Sequence, residues 1–294
     1  MMKKIKNHIN KVAEEMWPIS TWYESRYLAI YYFIFMILCP VYALITPAIQ
    51  LFNTNPSIFW ELAKHPIAIS AYRISIVTAF YAAIINGIFG FLTAWVLARF
   101  KFFGRNVLDT FIDLPFALPT AVAGLTLMTV YNPEGPLGPL LSKLGIQIIF
   151  SRLGVFMAML FVSLPFVVRT VQGVLQGIDD SIEEVAWSLG ASPRDTLQYV
   201  LLPSLFPAFI SGITLAWARS IGEFGSIIII SSNSPFKDLI APVLIFQHLE
   251  QYNYIGASVV GSVLLFFSTI LIVSVRLLAA YLQKFSIKNT YKSW

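Results

Sequence analysis

Glu183-Glu184-Val185-Ala186-Trp187-Ser188-Leu189-Gly190-Ala191-Ser192-Pro193-Arg194-Asp195, running on to Val200-Leu201-Leu202-Pro203, is the stretch whose reading decides the fold. With Asp179 and Asp180 it forms the densest acidic cluster in a very apolar chain. It reads as two short helices and a hinge. Asp180 suits the N-cap of the first, with Glu183 at its third position as in a capping box. Gly190 suits the left-handed residue that ends a helix. Ser192 caps the second helix, Pro193 occupies its first position, and Asp195 sets a carboxylate near its positive end. Pro203 and Pro207 are expected to close the segment before the next apolar run.

The rest of the chain sets this segment at the edge of a membrane. Hydrophobic residues make up 57% of the 294 residues and charged residues 12%, with a mean hydropathy of +0.73. A soluble domain carries roughly 25% charged residues. The net charge of +5 requires no nucleic acid, since Lys and Arg in short loops on one membrane side give the same balance. Cys39 is the only cysteine, and His8, His65 and His248 are scattered, so no metal site is expected. No Gly-Lys pair occurs, so there is no Walker A loop, and any ATP used must bind another chain.

Apolar runs of about 20 residues suit membrane crossing. They fall at about 28–52, 70–98, 110–131, 153–171, 208–231 and 255–282, with Pro40 and Pro47 tolerated inside the first. The expected fold class is therefore all-α: a polytopic membrane protein of six transmembrane helices. Residues 1–27 are a basic leading segment with Trp17, Trp22 and Tyr23 at the membrane edge. A signal peptide is disfavoured there by the length of the following apolar run. Residues 172–207 hold the acidic segment, residues 53–68, 132–152 and 232–254 are loops, and residues 283–294 are a basic tail. Six spans put both ends on one side. Lys3, Lys4, Lys6, Lys11, Arg26, Arg99, Lys101, Arg105, Arg169, Arg194, Arg276, Lys284, Lys288 and Lys292 fall on that side. Lys64, Arg73, Lys143, Arg152 and Lys237 fall on the other, and Arg219 lies within a span. The positive-inside rule then places both termini and the acidic segment in the cytosol or stroma.

From composition alone, residues 172–207 are a solvated loop. Their detailed pattern says more. Glu184, Ala186, Gly190, Val200, Leu202 and Pro203 resemble the EAA signature of ABC importer permeases, with Val185 in place of the first Ala. Asp113-Leu-Pro-Phe-Ala-Leu-Pro-Thr-Ala-Val-Ala-Gly-Leu125 and Ala218-Arg-Ser-Ile-Gly-Glu-Phe-Gly225 resemble sulfate and molybdate permeases. Leu164-Pro-Phe-Val-Val-Arg-Thr-Val-Gln172 and Pro235-Phe-Lys-Asp-Leu-Ile-Ala-Pro-Val-Leu-Ile-Phe-Gln247 are similar to the CysT type of sulfate/thiosulfate permease. The resemblance covers nearly all of residues 65–282. It implies a type I ABC importer permease whose acidic segment is a cytosolic coupling helix docked on an ATPase. Glu183, Glu184, Ala186, Trp187, Leu189 and Gly190 would make that contact. The implied partners are a companion permease subunit, two cytosolic ATPase subunits carrying ATP and Mg, and an external sulfate-binding protein, besides membrane lipid. The chain itself would be no enzyme and would bind no cofactor.

Arg219 and Glu223 stand one turn apart in the fifth span. Ionisable groups at that depth face a partner or a water-filled path. In one reading Arg219 holds a dianion while Glu223 orients it or gates the path. In the other they are an i,i+4 pair that locks packing. Arg169 is expected as a snorkelling anchor at the end of the fourth span. Gly87, Gly90, Gly212, Gly222, Gly225 and Ser226 allow close helix contact. Pro115, Pro119 and Pro165 are expected to kink spans. Molybdate or tungstate permeases share the Gly-Glu-Phe-Gly stretch, so the substrate stays open between these dianions. A secondary anion transporter or a membrane assembly factor leaves the Glu184–Pro203 pattern unexplained. A bacterial inner membrane and a plastid membrane both suit the composition.

Overall fold

The computed structural model describes residues 19–290 apart from Asp180, with side chains from Ser25 to Tyr281. The anchors expected at Trp17, Trp22 and Tyr23, the basic residues Lys3 to Lys11 and Lys284 to Lys292, and the cap at Asp180 lie outside that description. Among the described residues every regular element is helical.

The first helix, α1 (Ile19–Thr54), takes in the first apolar run and carries Pro40 and Pro47 within it. A short helix, α2 (Pro56–Ala63), follows in what the sequence suggests is a polar loop. Pro56 at its first position, where the amide needs no partner, starts it. Next, α3 (Pro66–Arg99) is the second long helix. The third apolar run is not one helix. It is α4 (Arg105–Ile112), α5 (Leu114–Ala117) and α6 (Thr120–Tyr131). Leu118 is extended because a residue before proline is driven out of the helical region. At 1.5 Å per residue α6 spans only about 18 Å, against a hydrocarbon core of about 30 Å.

Beyond a small helix, α7 (Gly138–Lys143), comes α8 (Arg152–Gly177), which runs six residues past the end of the fourth apolar run. The acidic segment holds α9 (Ser181–Ser188) and α10 (Pro193–Asp195). Here the expected second short helix is corrected. The path from Pro193 through a π-helical turn, Thr196–Leu201, into α11 (Leu202–Ile221) is continuous. Pro203 opens α11 instead of ending the segment, and Pro207 lies inside it. The π turn resets the hydrogen-bond register just before the proline that lacks an amide. The fifth apolar run breaks at residues 222–224 and resumes as α12 (Gly225–Ile230). Then α13 (Ala241–Glu250) occupies the expected outer loop, and α14 (Tyr254–Thr290) is the last helix. Among the described residues five helical runs are therefore long and apolar enough to cross a membrane, and α6 is a shorter apolar helix.

The core is α3, α8 and α11 packed together. Small residues let them approach. Gly90 faces Val167, Gly87 faces Ile213, and Gly212 lies against the backbone of Val167. Gly222 is different, with open space around it. Asn86 donates to Ser163 Oγ and the Leu160 carbonyl at 2.8 and 2.9 Å, a buried polar tie between α3 and α8. The Ala241 amide at the start of α13 donates to Ser75 Oγ of α3 at 2.8 Å.

The half-length helices α6 and α12 lie against one another. A Cβ added at Gly124 would stand 2.5 Å from the Ser226 carbonyl oxygen, and one at Gly225 would stand 2.1 Å from Thr120 Oγ1. Gly124→Ala must therefore push backbone apart, at a cost of about 1–3 kcal/mol. Gly173→Ala, with nothing near it in α8, should gain about 1 kcal/mol from helix propensity. Thermal unfolding in detergent should move down for the first and not down for the second.

Candidate functional site

Two places bring the singled-out residues together: the acidic segment, and the break between α11 and α12. In the acidic segment Asp179 accepts the Ser181 amide at 2.9 Å at the head of α9. That amide, with the Ser181 hydroxyl after it, holds the Asp179 carboxyl below the usual range. The far end is a Schellman closure. Gly190 N–H bonds the Trp187 carbonyl at 2.9 Å and Ala191 N–H bonds the Ala186 carbonyl at 3.0 Å. Gly190 takes φ +89° with open space where a Cβ would be. Glycine is needed for the left-handed backbone alone, not to avoid a neighbouring side chain. Ser192 and Asp195 then form a full capping box on α10.

The faces of α9 sort its residues. Glu183 is drawn inward by Arg99 at the end of α3, with Nη2 to Oε1 at 2.8 Å. Ala186 is 9% exposed on the same inner face. Glu184, Trp187 and Leu189 are exposed, Leu189 to 83%. Ile182 and Val185 are exposed too, so Ile182, Val185 and Leu189 make an apolar stripe at helical spacing. The sequence carries that spacing, but only the packing of α9 shows which stripe faces outward.

Arg169 is not a snorkelling anchor. Its guanidinium takes both Asp113 carboxylate oxygens, through Nε at 2.7 Å and Nη2 at 2.6 Å. Nη1 donates to Asp109 Oδ1 at 2.6 Å and Gln172 Oε1 at 2.7 Å, and Nη2 also donates to the Asp109 carbonyl. The fork pins the broken third run to α8 with the two-pronged geometry that suits arginine and carboxylate. Asp109 and Asp113, four apart, were readable as one face of a helix, but their cation is 56 residues or more away in sequence.

At the α11–α12 break the chain leaves the helix between Arg219 and Glu223. Ile221 is the last residue of α11 and Gly222 its C-cap. The two side chains still pair, Arg219 Nη1 to Glu223 Oε2 at 2.6 Å. The other oxygen of Glu223 accepts the Ser226 amide at 3.2 Å and the Ser226 hydroxyl at 2.9 Å. Glu223 is thus a linker residue that caps α12. Its side chain is 1% exposed, whereas that of Arg219 is 31% exposed. This asymmetry predicts unequal effects. Arg219→Leu strands a buried carboxylate and should cost on the order of 3 kcal/mol. Glu223→Gln leaves a cation that is only partly buried and should cost about 1 kcal/mol. The double variant should recover much of the Arg219→Leu loss in a thermal-unfolding cycle, and simple additivity would count against the coupling.

Comparison with known proteins agrees with this architecture. A family described as "Binding-protein-dependent transport system inner membrane component" matches residues 86–287. A probable sulfate transport system permease protein cysT of Nephroselmis olivacea is 52% identical over 88% of this chain and 90% of its own length. The sulfate transport system permease protein CysT of Synechocystis sp. is 48% identical over 88% of this chain and 90% of its own. The crystal structure of a bacterial ABC transporter that imports the acidic polysaccharide alginate superposes with a TM-score of 0.68 at 16% identity. It covers 93% of this chain and 98% of that one, a likeness of fold. The chain is thus a multi-pass membrane protein and belongs to the family of binding-protein-dependent transport system inner membrane components, among the ABC importer permeases of the CysT type.

Proposed function

We propose that this chain is the transmembrane pore subunit of an ATP-driven importer of sulfate, with thiosulfate as a related substrate. The observation that carries the coupling part is the acidic segment. A capped helix ends on a left-handed Gly190 and turns its Ile182–Val185–Leu189 stripe outward. Such a stripe suits a groove on a second protein. The curated relatives named for sulfate transport support the substrate. In this reading both termini and α9 lie in the cytosol or stroma. Two ATPase subunits bind ATP and Mg and receive α9, a companion permease completes the pore, and an external binding protein delivers the anion.

The inner and outer faces of α9 divide the work. Leu189, Trp187 and Glu184 meet the ATPase. Glu183 and Ala186 transmit its movement to the chain's own helices, Glu183 through Arg99 at the end of α3. Gly190 sets the angle at which the Ser192-capped helix departs into α11. Closure of the ATPases then moves α11, and with it the break at residues 222–224. Arg219, with part of its guanidinium open beside Glu223, offers a cation at that break to a passing dianion.

Radiolabelled sulfate uptake in cells lacking their own sulfate importer tests this reading. This chain would be supplied with its companion permease, ATPase and binding protein. Uptake should need the ATPase and survive modest molybdate. ATPase-dependent molybdate uptake without sulfate uptake would overturn the substrate, and sulfate uptake indifferent to the ATPase would overturn the coupling role. Leu189→Glu should lower uptake at least tenfold with the protein still folded. Gly190→Val should cost more than Gly190→Asn, because asparagine tolerates the left-handed region.

A further inference from the structure

Two histidines take no part in the sites above. His65 and His248 line one cavity of about 380 Å³ between α2, α3 and α13, at the helix ends away from α9. Each supports the head of a long helix through its Nδ1 atom.

His65 stands just before α3 and caps it. Its Nδ1 accepts the Ile67 amide at 3.4 Å, one of the amides that the first turn of a helix leaves without a partner. His248 acts one step removed, at the head of α14. Asn253, the residue before that helix, accepts the Gly256 amide on Oδ1 at 2.9 Å. That bond fixes which way the Asn253 amide points, so its Nδ2 is the group 3.4 Å from His248 Nδ1. The Asn253 backbone amide also donates to the His248 carbonyl at 2.9 Å. Gly256 leaves room for this tie: a Cβ there would stand 2.7 Å from Asn253 Nδ2 and 3.0 Å from His248 Nδ1.

In both contacts Nδ1 faces an N–H, so both require a lone pair on Nδ1 and a neutral ring. A proton there turns the acceptor into a donor. It also sets a cation at the head of α3 or α14, the positive end of the helix dipole. Because the two rings share a cavity, their charges would repel. No carboxylate lines that cavity, and Gln247 and Gln251 are its other polar side chains. On the surrounding elements Glu61, Arg73, Lys237, Glu250, Tyr252 and Tyr254 are exposed. Lys64 lies over the Trp60 ring, and Asp238 is taken up by Ser232 and Ser234. Helix α14 carries no charged residue before Arg276. Burial, and then His65, push the His248 imidazole below its usual range. The unfolded chain therefore binds a proton that the folded chain refuses, and stability rises with pH. The contribution of His248 is complete at neutral pH and is lost as pH falls through the histidine range.

We propose that His65 and His248 form a proton-sensitive latch: neutral, they hold the heads of α3 and α14 at one corner, and protonation releases both. The ligand is a proton from the membrane side away from α9, and the latch does not depend on what the chain carries.

The test is hydrogen exchange read by mass spectrometry, on the full chain with its partner subunits in nanodiscs. Rates are normalised to the unstructured-peptide rate at each pH. Between about pH 7.5 and about pH 5.5, the range histidine spans, exchange at the heads of α3 and α14 should rise about fivefold, the size of one lost N-cap. His65→Asn and His248→Gln keep an acceptor that does not titrate. Each should keep neutral-pH protection and remove the acid response at its own helix. His65→Asn should also move the α14 response to higher pH, since one of two repelling charges is gone. His248→Lys, a cation at every pH in this range, should expose the head of α14 at neutral pH as acid does. Wild-type exchange that ignores acid would overturn the latch. So would an acid response that survives in the His65→Asn, His248→Gln double variant, because Glu61, Glu250 or another group would then be the one titrating.

Discussion

A backbone that breaks within the apolar layer must satisfy its freed amides and carbonyls inside the protein, because lipid offers no partner. The break at residues 222–224 meets this demand with one carboxylate. Glu223 accepts the Ser226 amide in the first turn of α12 and pairs its other oxygen with Arg219. The rest of the neighbourhood depends on that solution. Because α12 starts where it does, its first turn lies on α6, with Gly124 and Gly225 removing the side chains that would hold them apart. Because α6 begins only at Thr120, the preceding residues form α4 and α5, and Arg169 fastens these to α8 through Asp109 and Asp113.

Two arginine–carboxylate ties therefore sit at different depths with different characters. The Arg219–Glu223 pair is one-sided in exposure, so its carboxylate is committed to the structure while its cation retains an open face. The Arg169 cluster leaves its carboxylates partly in water, 39% and 48% exposed for Asp109 and Asp113, and its strength comes from the two-pronged geometry. Arg99–Glu183 is a third tie, and it joins the acidic segment to the end of α3. Together they tie the acidic segment, the broken third run and the break after α11 to the packed helices α3, α8 and α11.

Helix α9 shows how much of the site was legible. Its capping residues act locally, within four positions of one another, so Gly190, Ser192, Pro193 and Asp195 could be assigned their roles directly from the sequence. The roles of Glu183 and Ala186 could not, because they depend on what lies beneath the helix. The short helices α2 and α13 were read as loops, since eight or ten residues give little periodicity. The third and fifth apolar runs were read as single spans because hydropathy averages over a break. Pro119, Asp113 and the Gly222-Glu223 pair were visible, but a proline or an acid inside an apolar run marks either a kink or a full interruption.

By itself the sequence determined that this chain is helical and membrane-embedded, that its acidic segment is a capped, hinged helix, and that it resembles an importer permease. Composition, apolar run length and capping chemistry are local properties, and local properties survive without a fold. Only the tertiary structure decided where the third and fifth runs break, which carboxylates Arg99, Arg169 and Arg219 hold, and which stripe of α9 faces outward. Those outcomes depend on groups far apart in the chain competing for a few partners in a medium that supplies none, and that competition is settled only when the helices pack.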